Sequence, residues 1–377
     1  MDNKYEVEDL VKVAKRENNS KRAYLYVNPI QGKHIPVEPD KPIELYRVMA
    51  GMLDREYTHK NVLLIGFAET ATAIGAAISV YSDVVKYCTQ TTREVYPNAE
   101  YLYFSESHSH ATEQSLIIDN YVDVLNTVDC IVFAEDEVTT GNTICKLIRQ
   151  LQQQFNNDRI CYGIISIINS MSDKRISELK EQGIVCQYIQ KIPYEYNVDC
   201  IDDYSYNEPV NAICSAVEDT NVIKTEEHIP NLRFLHNKKQ YSDDIISYVR
   251  SVMGKIEIDK FDKKVLVLGV EEFMYPPMLV ALAIKETYNW LDVKFHATTR
   301  SPILTSVDPN YPLFGRWKLI SPYDSERITY VYNLVDYDYV IVLSDSEYKN
   351  TDQYDSIEEA LLSAGCKRLF ISGKEMG

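Results

Sequence analysis

Three consecutive acids, Glu135, Asp136 and Glu137, follow the apolar run CIVFA at 130–134 and precede Thr139, Thr140, Gly141, Asn142 and Thr143. Acids often end strands, and Thr, Gly and Asn often make turns and caps, so each piece alone has a purely structural reading. Their order adds a chemical one. Two carboxylates at the carboxyl end of a parallel strand can accept hydrogen bonds from the vicinal hydroxyls of a ribose, at the edge where open α/β sheets bind ligands. A loop of small residues leading into a helix offers N–H groups and threonine hydroxyls to a phosphate, which the helix dipole also favours. The stretch has the parts needed to hold a ribose 5-phosphate.

The elements that must position these groups are legible as short apolar runs. NVLLIG (61–66), CIVFA (130–134), CYGIISII (161–168), KVLVLG (264–269), YVIVLS (339–344) and RLFIS (368–372) read as buried parallel strands, and the first, second, fourth and fifth lead into helix-forming stretches. The fold class is α/β. Periodicity fades in EDTNVIKTEEHIPNL (218–232), which reads as a linker between a domain at 1–228 and one at 229–377. The two halves also resemble each other. VLLIGFAE at Val62 and VLVLGVEE at Val265 are 203 apart, TTRE at Thr91 and TTRS at Thr298 are 207 apart, and DCIVFAEDE at Asp129 and DYVIVLSDS at Asp338 are 209 apart. Three matches in one order suggest two copies of one α/β unit, with Asp136 opposite Asp345.

Bulk properties narrow the partners. The 377 residues are 45% hydrophobic, enough for two or three domains, and carry a net charge of -17. That charge disfavours nucleic acid, whose backbone is bound by Lys and Arg. No run of about 18 apolar residues suggests a membrane span, and the opening MDNKYEVEDLVKVAKREN is charged, so a cytoplasmic protein is expected. The 8 Cys form no C-x-x-C pair and read as reduced thiols. A polyphosphate ligand would need local help from a divalent metal, backbone N–H groups and a few cations.

IVFAEDEVTTGNT resembles the signature by which type I phosphoribosyltransferases bind 5-phosphoribosyl 1-pyrophosphate (PRPP). With GKHIPV, GFAETATAIG, TTRE, SHSHATEQ, VEEFMYPP, TTRSP and VYNL, the chain is similar to the phosphoribosyltransferase family associated with tellurium-resistance operons, whose C-terminal module bears a Thr-Arg-Ser-Pro motif, here Thr299 to Pro302. The resemblance implies a type I phosphoribosyltransferase-like domain followed by the Thr-Arg-Ser-Pro module; that second α/β unit has EYKNTD opposite the phosphate loop and Ser344 opposite Glu135, so it reads as a degenerate copy of the first. It implies Glu135 and Asp136 on the ribose hydroxyls and Thr139, Thr140, Gly141, Asn142 and Thr143 around the 5-phosphate, while Glu137 stands where the pattern is usually apolar. It also implies that Glu69, Thr70, Ala71 and Thr72 cradle the pyrophosphate, although an ordinary Thr-capped helix start explains them too, and the pair Gly66 and Gly75 is too sparse for a dinucleotide fingerprint. Arg93 is a candidate to neutralise pyrophosphate or else a surface arginine, and Lys33 is a weaker one.

FSESHSHATEQS occupies the position of the mobile loop of type I enzymes. His108 and His110 face one side if the segment is extended. Zinc would need Glu106 or Glu113 as further ligands, so acid/base work or contacts to the acceptor is preferred, with a plain polar loop as the alternative. The expected reaction displaces pyrophosphate from C1 of PRPP with Mg²⁺ on the pyrophosphate and on Glu135 and Asp136, and joins the ribose to an unidentified small-molecule acceptor in making a nucleoside-like metabolite. Thr139 stands where purine-salvage enzymes carry an aspartate that engages the base, which argues against a purine acceptor. A PRPP-sensing protein without chemistry, and a pyrophosphorylase or ribose-phosphate hydrolase, remain alternatives. Arg300 and Asp345 are candidates for acceptor or interface contacts, and a homodimer without nucleic-acid or membrane partners is expected.

Overall fold

A computed structural model describes residues 4–19, 22–104, 114–207, 221–226 and 228–375. The sequence suggests a single division near 228, but the packing interleaves. One compact unit comprises Met1–Val7, Ile43–Tyr196 and Pro230–Asp244, and the other Glu8–Pro42, Asn197–Ile229 and Ile245–Gly377.

The first unit is built on a six-stranded sheet in the order His236–Asn237, Val85–Gln90, Val62–Gly66, Cys130–Val138, Cys161–Asn169 and Ile184–Lys191. The last five run parallel, and only the short His236–Asn237 strand is antiparallel. The continuous apolar runs suit strands covered on both faces, and all five residues of Val62–Gly66 are buried. Helix Thr72–Tyr81 is buried along most of its length. It lies close to the sheet because Gly75 faces Gly66; a Cβ on Gly75 would come within 2.7 Å of the Gly66 Cα. Helix Asn142–Phe155 is two-sided, burying Ile144, Cys145, Leu147, Ile148 and Leu151 at helical spacing.

Two expectations about this sheet are corrected. The third strand does not stop at Ala134 but runs through the acids to Val138, paired in register with Cys161–Asn169. Cys130 and Cys161, expected to be reduced, are opposite each other in that register and joined as a disulfide. Cys88, Cys145, Cys186, Cys200 and Cys366 are free.

The second unit is built on a five-stranded, wholly parallel sheet in the order Asn221–Glu226, Leu369–Lys374, Tyr339–Glu347, Lys264–Gly269 and Asp292–Ala297. Its edge strand Asn221–Glu226 lies inside the stretch read as a linker, and a boundary between the two units falls in the same stretch, between Ile229 and Pro230. An antiparallel hairpin, Arg316–Ile320 with Ile328–Tyr332, completes the unit's apolar core through Trp317, Leu319 and Val331. No helix among the described residues is long and apolar enough to cross a membrane.

Candidate functional site

Strands Val62–Gly66 and Cys130–Val138 are parallel neighbours, so the turn after the first and the acids of the second share one edge of the sheet. The Phe67 N–H donates to the Ala134 carbonyl at 3.0 Å. From the other side, the Thr91 N–H donates to the Gly66 carbonyl at 2.9 Å and the Ala68 N–H to the Thr91 hydroxyl at 2.8 Å. These three bonds bring together the turn Glu69–Thr72, the Thr91–Arg93 strand end and the acids. The Ala68–Glu69 peptide is cis. The Gln114 amide donates to the Ala68 carbonyl at 2.6 Å and braces the same turn.

Because the strand continues through the acids, neighbouring side chains leave opposite faces. Glu135 is half-buried, and its Oε2 has no hydrogen-bond partner. Burial and the charges of Asp136 and Glu137 hold its carboxyl well above the usual range, against the opposing pull of Arg93. Asp136 bears on the fully buried Tyr46, whose hydroxyl has no partner; burial first and Asp136 second push that phenol above its ordinary range. Ser166, opposite Glu135 in the sheet, is buried and has no partner for its hydroxyl. Glu137, the departure from the expected pattern, accepts from the Ser170 hydroxyl at 3.4 Å. Buried polar groups are normally paired, so unpartnered ones gathered at a strand end mark a place suited to a polar ligand.

The loop that follows is shaped for its turn. Gly141 is the residue before helix Asn142–Phe155 and has φ +70°, a conformation that disfavours any side chain. Thr140, Asn142 and Thr143 are exposed at that helix N-terminus. Arg175 also belongs here, and the sequence reading missed it. Its Nε donates to the Thr140 carbonyl at 3.1 Å and its Nη2 to the Asn142 amide oxygen at 3.4 Å. Arg175 lies in the first turn of helix Asp173–Glu181, where its N–H is capped by the Ser172 hydroxyl at 3.2 Å. The Ser-x-x-Arg start of that helix follows strand Cys161–Asn169, and this adjacency is the signal that could have found it.

The remaining candidates are distributed otherwise. His108 and His110 lie outside the described residues. Lys33 belongs to the second unit, not the first. It is buried, and its amine donates to the carbonyls of Glu271 at 2.7 Å and Thr298 at 2.9 Å. Arg300 and Asp345 are also in the second unit. Among the described residues, no group of three or more His, Cys, Asp or Glu is arranged to hold a metal ion by itself.

Residues 10–192 match the family model described as phosphoribosyl transferase, and residues 233–363 match the TRSP domain found C-terminal to it. By those matches the chain carries a phosphoribosyltransferase enzyme domain followed by a TRSP domain. No curated protein matches the sequence. Among solved structures, adenine phosphoribosyltransferase from Rhodothermus marinus is similar at 11% identity, over 49% of this chain and 96% of that one, with a TM-score of 0.33. Orotate phosphoribosyltransferase from Aeropyrum pernix matches at 12% identity, over 48% and 88%, with a TM-score of 0.31. An adenine phosphoribosyltransferase from Trypanosoma brucei in complex with AMP, pyrophosphate and ribose-5-phosphate matches at 16% identity, over 40% and 66%, with a TM-score of 0.28.

Proposed function

We propose that the first unit binds Mg-PRPP at the carboxyl edge of its sheet and transfers the phosphoribosyl group to a small-molecule acceptor. The observation that carries this reading is the strand end itself: a carboxyl group with a buried, unpartnered oxygen at Glu135, Asp136 beside it, and an αL glycine opening a helix N-terminus braced by Arg175. Glu135 and Asp136 accept hydrogen bonds from the ribose hydroxyls. The N–H groups and hydroxyls of 139–143 surround the 5-phosphate, while the turn Glu69–Thr72 and Arg93 face the pyrophosphate.

The hard carboxyl oxygens of Glu135, one of them without a partner, and of Asp136 are donors of the kind that suits a divalent ion that arrives with its ligand and keeps most of its coordination to phosphate and water. When bound, Mg²⁺ supplies charge neutralisation for the departing pyrophosphate. In the reaction the C1–O bond to pyrophosphate breaks, an acceptor electron pair forms the new bond to C1, and the acceptor's proton passes to a base. His108 and His110 are our candidates for that base. The same contacts serve the reverse reaction.

The test is to incubate the protein with Mg-PRPP and a metabolite extract and to follow pyrophosphate and ribosylated products by mass spectrometry. Pyrophosphate release that requires the extract, with a new product heavier by a phosphoribosyl group, supports transfer. Release without any acceptor supports hydrolysis instead.

A further inference from the structure

The two sheets match beyond sequence similarity. In the first unit the parallel order is Val85–Gln90, Val62–Gly66, Cys130–Val138, Cys161–Asn169, Ile184–Lys191; in the second it is Asp292–Ala297, Lys264–Gly269, Tyr339–Glu347, Leu369–Lys374, Asn221–Glu226. Val62 faces Cys130 and Val265 faces Tyr339, a shift of 203 on one strand and 209 on the other. Leu63 faces Tyr87 and Leu266 faces Lys294, shifts of 203 and 207. The turns repeat as well. The Thr91 N–H to Gly66 carbonyl bond (2.9 Å) recurs as Thr298 to Gly269 (3.0 Å), and Phe67 to Ala134 (3.0 Å) as Val270 to Leu343 (3.2 Å). Ala68 to the Thr91 hydroxyl (2.8 Å) recurs as Glu271 to the Thr298 hydroxyl (2.9 Å). Thr92 exchanges both backbone bonds with Ser115, as Thr299 does with Tyr330. Only the fifth strand differs: in the first unit it follows the other four along the chain, and in the second it precedes them.

This correspondence puts Glu271 at the position of Ala68, Arg300 at that of Arg93 and Asp345 at that of Asp136. The hairpin that follows Arg300 bends over these groups. Its turn, residues 321–327, directs the Ser321 hydroxyl and the Arg327 guanidinium onto the Glu271 carboxylate, the latter at 3.1 Å, and the Tyr323 hydroxyl onto Asp345. Arg300 closes the same carboxylate at 2.6 Å and lies 3.8 Å from Glu272. The side chains of Glu271 and Glu272 are 1% and 0% exposed. The offset of 209 puts Asn350 at the position of Gly141, and in the short helix Thr351–Tyr354 that follows, the Gln353 amide donates to the Glu347 carbonyl at 2.9 Å and the Pro322 carbonyl at 2.7 Å.

We infer that the second unit is a rearranged copy of the first whose ligand crevice is closed by its own hairpin turn, latched through Glu271 and Asp345, so that it takes no phosphoribosyl ligand. A ligand at that edge would have to break buried ion pairs, and none of the loop geometry that holds a phosphate is there to replace them. The ligand part of this inference rests on the PRPP reading of the first unit; the latch does not.

The experiment has two arms on the full chain. In hydrogen exchange, the amides of 321–330 are expected to be protected in the wild type. They should lose protection by at least tenfold in a Tyr323→Phe, Arg327→Ala variant, with 62–66 and 130–138 unchanged. Unchanged exchange at 321–330 in that variant overturns the latch. In titrations with Mg-PRPP, the wild type and the latch variant each take one equivalent and Asp136→Asn takes none. A second equivalent in the wild type overturns the closed crevice. If the wild type takes no PRPP, the proposed activity fails, and the exchange arm still decides the latch.

Discussion

At the end of the Cys130–Val138 strand, Glu135 Oε2, the Ser166 hydroxyl and the nearby Tyr46 hydroxyl are buried without partners, and the loop beyond is exposed. At the matching end of Tyr339–Glu347, Asp345 is held by Tyr323, Ser346 by Ser344 and Tyr354, and the segment beyond by Gln353. The backbone scaffold is the same in both, so it does not decide the use of the edge. Both edges keep buried hydroxyls without partners, Tyr46 and Ser166 in the first and Tyr248 and Ser372 in the second, so what differs is the acids: Asp345 is held by Tyr323, whereas Glu135 keeps an oxygen that no side chain of its unit satisfies. A buried polar group without a partner destabilises the fold and is kept where a ligand supplies the partner.

The comparison can be broken or sharpened by substitution. The largest expected effect is on chemistry. His108→Ala and His110→Ala should each lower turnover by roughly 10² while leaving PRPP affinity nearly unchanged, the range for losing a general acid or base. Normal turnover in both would reduce that segment to a cover or a surface feature. Next is Arg175→Ala, which removes a charged brace from the phosphate loop. Affinity for ribose 5-phosphate and for Mg-PRPP should fall about tenfold, as for loss of one charge-assisted hydrogen bond, with pyrophosphate affinity unchanged and partial recovery in Arg175→Lys. An equal loss for pyrophosphate would indicate a general disturbance of the edge.

The smallest effect concerns stability. The folded chain keeps a proton on Glu135 at pH values where the unfolded chain, with an ordinary carboxyl pKa of about 4.3, has lost it. The folded state then binds more protons, so this group makes stability fall as pH rises above that value. Glu135→Gln should therefore melt a few degrees higher than the wild type at pH 8, with the gap closing toward pH 4, while losing PRPP binding. In the second unit the acid is already held by Tyr323, so Asp345→Asn, which weakens that contact, should show no comparable gain. Melting curves across pH decide both, and a stabilising Asp345→Asn would remove the contrast between the units.

Much of this was legible from sequence because it is local. The acids, the Thr-Thr-Gly loop and the helix after it lie within 135–155, and each residue type there has a short-range reason. The offsets 203, 207 and 209 survive as hydrogen-bonded registers because insertions between strands leave strand pairing intact. What escaped depends on distant partners. Arg175 reaches Thr140 across 35 positions, and Lys33 reaches Glu271 across 238. Strand Asn221–Glu226, NVIKTE, reads as linker because four of its six residues are polar; its pairing with Leu369–Lys374 makes it a strand. The Cys130–Cys161 pairing depends on a register that spacing alone does not contain.

The central claim is that the acidic end of Cys130–Val138 holds the ribose of PRPP. Calorimetric titration of the wild type and Asp136→Asn with Mg-PRPP tests it most directly. The account predicts one binding event per chain in the wild type and at least a hundredfold weaker binding in Asp136→Asn, as expected when a carboxylate that accepts ribose hydroxyls is lost, with the melting temperature of the free variant within a few degrees of the wild type. Equal affinity in the two proteins would contradict it.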